Sequence, residues 1–228
     1  TADNLYIVRQ QELRDAMSVT GIQDIRFLDY RDSGMDGTDD NKHPDSLSQT
    51  DAKQVVDRLM AIMEQVRPNA VITHDPSGGY GHPDHKSVYQ HMTAAFYRSI
   101  EVGTSASPEQ GQQLGNPQAL YYVCFPRSNF RRMWQEMLDL GITPPFASMD
   151  IDSLGSSDDE VTTTLDVSGY VDTKISSLDC HRTQLDPNGP FAQFPKEKMR
   201  AIMSTEYFTL ANPEAGKVGK DLLARLAK

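Results

Sequence analysis

From Asn69 onward the chain reads "NAVITH", then a glycine-rich turn, then a long segment of helical period that opens at Pro83. A short apolar strand feeding a helix through a tight turn is the building unit of α/β sheets. The alternation recurs along the sequence. "LYIVRQQELRDAMSVTG" (5–21) has apolar residues near helical spacing and ends at Gly21, a fitting C-terminal cap. "DIRFLDY" (24–30) reads as a strand, and "RDSGMDGTDDNKHPDS" (31–46), rich in Gly, Asp, Asn and Ser, as loop. The pattern Ser48-x-x-Asp51 opens a helix with Ala52, Val55, Val56, Leu59, Met63 and Val66 on one face, which Pro68 closes. Pro83 suits the first position of the next helix.

Residues 101–118 are turn-rich and read as a mobile connection. "ALYYVCF" (119–125) is a strand and "RSNFRRMWQEMLDLG" (127–141) a helix, followed by a polar, acidic connection. "VTTTLDV" (161–167) reads as a strand and "GYVDTKISSLDCHRTQL" (169–185) as a helix. "KEKMRAIMS" (196–204), "EYFTLA" (206–211) and "KVGKDLLARLAK" (217–228) read as a last helix, strand and helix. Strands separated by helices imply a mainly parallel sheet with helices on both faces. The expected fold is a three-layer, Rossmann-like α/β domain, with residues 1–228 forming one unit.

Charge narrows the partners. The formal net charge is −10, from 32 acidic and 22 basic residues, with no Lys/Arg cluster to attract a phosphate backbone, so nucleic acid is not an expected partner. No apolar run is long enough to cross a bilayer, and no membrane partner is expected. Cys124 and Cys180 are far apart and form no Cys-x-x-Cys pair; Cys124, inside an apolar strand, reads as a small core residue. A reducing, cytoplasmic setting fits this usage.

The turn after "AVITH" carries Gly78, Gly79, Tyr80, Gly81, His82, Pro83, Asp84 and His85. Ligands of open α/β sheets bind beyond the carboxyl ends of the strands, where this turn falls. Glycines there let backbone approach a ligand. His85 lies in the first helical turn and His82 just ahead of it. One imidazole can ligate a metal while the other acts on substrate, and Asp84 can orient a ring. No Gly-x-Ser-x-Gly elbow is present, no cysteine has a loop base beside it, and the glycines fit neither a dinucleotide fingerprint nor a phosphate-binding loop. Metal-assisted hydrolysis is the chemistry these groups support.

"THDPSGGYGHPDH" resembles the downstream motif of the LmbE-like (PIG-L) zinc N-deacetylases, which remove acetyl groups from N-acetylglucosaminyl substrates. "YRDSGMDGTDD" (30–40) looks like the substrate-side loop of the family's mycothiol-pathway branch, which acts on N-acetylglucosaminyl-inositol. "RQQELRDAM" resembles the family's Arg-x-x-Glu-Leu helix, "DVSGYVDTKISSLDCHRTQ" its Lys-containing helix ending in His-x-x-Gln, and "STEYFTLA" its closing strand. The resemblance covers nearly the whole chain. It implies that His85 is a zinc ligand and that His82 donates a proton and stabilises the oxyanion. Asp84 would set the orientation of His82, and Tyr80 would act over the substrate carbonyl. Arg9 and Asp32 would lie on the sugar or inositol side; His181 matches a family position without a definite role. The implied cofactor is Zn2+, with Fe2+ able to use the same donors, and the implied partner a small acetylated amino-sugar substrate.

The family's other motif, Ala-His-Pro-Asp-Asp-Glu at the end of its first strand, supplies the remaining metal ligands and the general base, and this sequence does not contain it. "KHPDSL" (42–47) is no substitute. It follows no apolar strand, and Ser46 stands where a carboxylate is needed, so His43 reads as a solvated loop residue. The chain, which begins with Thr, is expected to lack the family's first strand, helix and second strand. The remaining ligands are expected from that segment, since a catalytic zinc takes three protein ligands. Sheet edges left exposed by its absence would make the isolated chain fold poorly. Two alternatives to the deacetylase stay open: an inactive glycoconjugate-binding relative, and an inert fragment of the enzyme.

Overall fold

A computed structural model describes residues 4–105, 117–145, 147–212 and Leu223. The expected helix over 217–228 lies outside the described residues apart from Leu223, and so does most of the connection expected over 101–118. Two compact units emerge. The first comprises residues up to Phe27, Ser128–Ile151 and Leu165–Glu206; the second comprises Leu28–Arg127, Asp152–Thr164 and the residues from Tyr207 on.

The first unit is helical at its core. Helix α1 (Leu5–Thr20) ends at Gly21, whose φ of 80° lets its N–H and that of Ile22 bond back to Ser18 and Met17 carbonyls. α1 packs on α6 (Val171–Leu178), with Ser177 Oγ donating to the Ala16 carbonyl. Helix α5 (Arg127–Asp139) turns Met133 and Met137 inward, one helical turn apart. They meet Ile142 and Phe194, the latter just after the short α7 (Pro190–Gln193), with Met199 and Ile202 of α8 (Lys196–Met203) against them.

Glu12 on α1 is buried and accepts from both the N–H (2.9 Å) and the hydroxyl (2.7 Å) of Thr183. Those bonds hold its carboxyl below the usual range, with Arg182 and His181 helping and burial opposing. α6 stops at Leu178, where the Cys180 and His181 N–H groups turn to the carbonyls three residues back, and the Thr183 N–H beyond them goes to Glu12. Because the folded value is depressed, Glu12 contributes its full stability above the ordinary carboxylate value of about 4.3 and loses it as pH falls through the folded one. The melting temperature is therefore expected to drop on acidification below that range, and Glu12→Gln to show a shallower drop.

The second unit holds the sheet. Its strands are β1 (Ala70–His74), β2 (Ala119–Cys124), β3 (Thr163–Asp166) and β4 (Thr205–Leu210), in the order β1-β2-β4-β3, and the chain passes between units within β3 and β4. β1 and β2 pair in parallel, Ala70 opposite Ala119, joined through the long helix α4 (Pro83–Ser105). β4 enters antiparallel to β2, Tyr121 opposite Leu210, so an α/β sheet acquires a mixed side. Val56 and Met63 of α2 (Ala52–Val66), Ala95 and Phe96 of α4, Val71 and Leu120 form the core beneath it. The opposite face shows Ile72 and Val123, each about half exposed.

Two expectations are corrected. Among the described residues, 24–30 form no strand ladder: Asp29 takes a left-handed φ of 56°, which interrupts extended pairing, and Arg31 just beyond bridges to Ser46. The cap of α2 is Asp51, not Ser48. Asp51 Oδ1 accepts from Lys53 N (2.7 Å) and Gln54 N (3.2 Å), whereas Ser48 donates its N–H to Ser33 Oγ within the loop. Replacing Asp51 by Ala is expected to cost about 1 kcal/mol in chemical denaturation, while Ser48→Ala leaves the helix start intact.

Cys124 is buried on β2, as expected of a core residue, and burial pushes its thiol up; both cysteines are free. Among the described residues no helix is long and apolar enough to cross a membrane.

Candidate active site

β1 ends at His74, and the chain folds at once into a tight turn held by Asp75. The buried Asp75 carboxylate accepts from Ser77 Oγ (2.7 Å) and the Gly79 N–H (3.2 Å) at Oδ1, and from Ser156 Oγ (3.0 Å) at Oδ2. A glycine turn, α3 (Gly78–Gly81), follows; with Gly78, Gly79 and Gly81 all at positive φ it is a tight turn, not a regular helix. Gly78 is required by contact as well as by its φ of 65°: a Cβ there would lie 3.1 Å from His85 Cβ and from the Lys86 backbone nitrogen. His82, extended ahead of Pro83 as residues before proline are, delivers the chain into α4.

The two imidazoles are bound differently. The Gly78 carbonyl can only accept, so the 3.1 Å contact from His85 Nδ1 fixes the proton on Nδ1 and leaves Nε2 a lone pair. His82 does the reverse. Its Nδ1 accepts from the Asp84 N–H at 3.2 Å, so a neutral His82 carries its proton on Nε2. Their ring centroids are 4.9 Å apart. One sequence turn thus presents a nitrogen with a free lone pair beside a nitrogen that donates.

Other groups close around them. Tyr80 meets His82 and His85 edge-on, at centroid distances of 6.0 and 5.5 Å, and burial, then the Asp32 charge, raises its phenol. The hydroxyl therefore stays a donor at neutral pH. His74 stacks on His85 with centroids 4.1 Å apart and planes 9° from parallel. Burial first, then the neighbouring His85, lowers its pKa, against Asp75. Asp84 Oδ2 accepts from the Ser33 N–H (3.0 Å), while Oδ1 is buried without a hydrogen-bond partner among the described residues. Asp32, its own Oδ1 bonded to the Gly34 N–H, brings a carboxylate to the same place: ligand atoms of Asp32, His82 and Asp84 all lie within 4.8 Å of one another.

The structure therefore brings together Tyr80, His82, Asp84, His85 and Asp32. Arg9 lies half-buried on α1 in the first unit, where His181 accepts from Gln184 Nε2 at 3.3 Å. His43 is a partly exposed loop residue near Asp45, as its sequence context suggested. Sequence reasoning passed over His74, Asp75, Ser33 and Ser156. The run Asp75-Pro76-Ser77 is a turn-forming signal that could have marked Asp75; the Ser156 contact joins distant parts of the chain and leaves no local trace.

The sequence profile of the PIG-L family, described as GlcNAc-PI de-N-acetylase, matches residues 1–96, which include the whole histidine turn. A protein of Geodermatophilus obscurus named 1D-myo-inositol 2-acetamido-2-deoxy-alpha-D-glucopyranoside deacetylase is 35% identical over 225 residues, covering 94% of this chain and 74% of that protein. This chain belongs to the PIG-L family. Proteins of the same name from Acidothermus cellulolyticus and Thermobifida fusca are 34% and 35% identical, and the match covers 72% and 74% of their lengths. The resemblance seen in five segments of the sequence, the histidine turn and residues 30–40 among them, agrees with relatives that match nearly the entire chain.

Proposed function

We propose that this PIG-L chain serves a metal-dependent deacetylase that hydrolyses the N-acetyl group of an N-acetylglucosaminyl glycoside, inositol-linked, to acetate and a free amino sugar. The names of its relatives support the substrate. The observation that carries the chemistry is the opposed pair of tautomers, His85 with a free Nε2 lone pair and His82 with an Nε2 proton.

His85 fits a metal ligand, because its other nitrogen is already anchored on a carbonyl, the arrangement that orients metal-bound imidazoles. Zn2+ is the proposed ion, and Fe2+ accepts the same donors. When bound, such an ion polarises the acetyl carbonyl and lowers the pKa of a bound water to about 7. His82 hydrogen-bonds the developing oxyanion through its Nε2 proton; it would protonate the departing amine only from its imidazolium form, reached by taking up the proton that the attacking water gives up. Tyr80, kept protonated, adds a second donor at that oxygen. Asp84 holds His82 through its backbone N–H and is itself held by Ser33. Asp32 faces the sugar, and Arg9 keeps the substrate-side role that the family resemblance implies.

The test is acetate release from 1D-myo-inositol 2-acetamido-2-deoxy-α-D-glucopyranoside by the intact protein, with free N-acetylglucosamine as comparison. Release from the inositol glycoside, with weaker release from the free sugar, is expected. Binding without release would instead favour an inactive glycoconjugate-binding relative.

A further inference from the structure

The Gly78 carbonyl that receives the His85 proton and the Gly79 N–H that points to Asp75 belong to one peptide group. At its N–H end, Gly79 N reaches Asp75 Oδ1 directly (3.2 Å) and through Ser77 Oγ (3.0 Å), whose own proton goes to Oδ1 at 2.7 Å. At its carbonyl end lies His85 Nδ1, 3.1 Å away. A carboxylate pulling on the N–H polarises the peptide and strengthens its oxygen as an acceptor, because hydrogen bonds in a chain reinforce one another. The Ser156 hydroxyl pins the far oxygen of the carboxylate, so Asp75 cannot swing away.

We propose that Asp75 is a positioning residue which, through the Gly78–Gly79 peptide, holds His85 in its Nδ1–H tautomer and directs the Nε2 lone pair toward the metal. This is the familiar carboxylate–histidine–metal relay with a peptide group inserted between acid and imidazole. The role of His85 as a ligand rests on the function proposed above; the tautomer does not. Ser77 shares the task. Gly78 eases the arrangement, since a Cβ there would crowd His85 Cβ at 3.1 Å and its φ of 65° disfavours any side chain.

The experiment compares wild type with Asp75→Asn, which keeps an acceptor for Gly79 and a contact for Ser156 but removes the charge. Nitrogen-15 NMR of the metal-free intact protein reads the His85 tautomer, and competition with a chelator reads Zn2+ affinity. Wild type is expected to show His85 protonated at Nδ1. Asp75→Asn is expected to show a tautomer mixture and affinity about tenfold weaker, at the lower end of losses seen for groups that orient a ligand. A wild-type His85 protonated at Nε2, or an Asp75→Asn protein with unchanged tautomer and affinity, overturns the proposal. Should Asp75→Asn fail to fold, Ser77→Ala decides: about threefold weaker Zn2+ binding is expected from one lost neutral hydrogen bond, and unchanged binding overturns it. A wild type that binds no metal yet keeps the Asp75-dependent tautomer would refute the proposed function and leave the relay standing.

Discussion

Replacing His85 by Ala is expected to abolish metal binding and, with it, acetate release. His85 is the imidazole in the turn whose Nδ1 is already committed to a backbone carbonyl, which leaves its Nε2 lone pair available to ligate. Loss of a group that merely orients a ligand weakens binding about 10- to 100-fold, and loss of the ligand itself should exceed that. The substitution also removes the stack on His74 and the bond to Gly78, so metal content is to be measured beside the melting temperature of the metal-free protein. A folded His85→Ala protein that retains its metal contradicts the assignment.

His82→Ala is expected to behave differently: metal content unchanged, turnover reduced about a hundred- to ten-thousand-fold, the range for a lost general acid. That corresponds to about 3 to 5 kcal/mol of transition-state stabilisation, and it should appear in kcat rather than in KM. The substitution also discriminates between two sets of donors. Asp32, His82 and Asp84 converge closely enough to hold a cation without His85. Loss of metal in His82→Ala together with retention in His85→Ala would move the ion to that set. Metal lost in His85→Ala and kept in His82→Ala keeps His82 as proton donor.

How much of this was legible beforehand depends on distance along the chain. Tyr80, His82, Asp84 and His85 fall within one turn and one helix start, so spacing alone brought them together, and Pro83 fixed where α4 begins. Asp32 came from the family resemblance, and its meeting with the turn rests on the Ser33–Asp84 bond between separate parts of the sequence. The Asp75–Ser156 link was invisible for the same reason. Local rules failed where a tertiary partner competed for a backbone group. Past Leu178 the chain tightens into three-residue turns and gives its Thr183 N–H to Glu12, and Ser48 turned to Ser33 and ceded the cap of α2 to Asp51. In residues 24–30 the apolar pattern suggested a strand, but a strand needs a ladder partner, and Asp29 turns the backbone out of the extended region.

The most direct test of a metal-dependent deacetylase is to follow acetate release from the inositol glycoside while metal content is measured by mass spectrometry. The intact protein would be assayed as prepared, after chelation and after Zn2+ is restored. Near-stoichiometric metal, loss of acetate release on chelation and its recovery with Zn2+ are the predicted results. Acetate release that survives complete removal of metal would contradict the central claim.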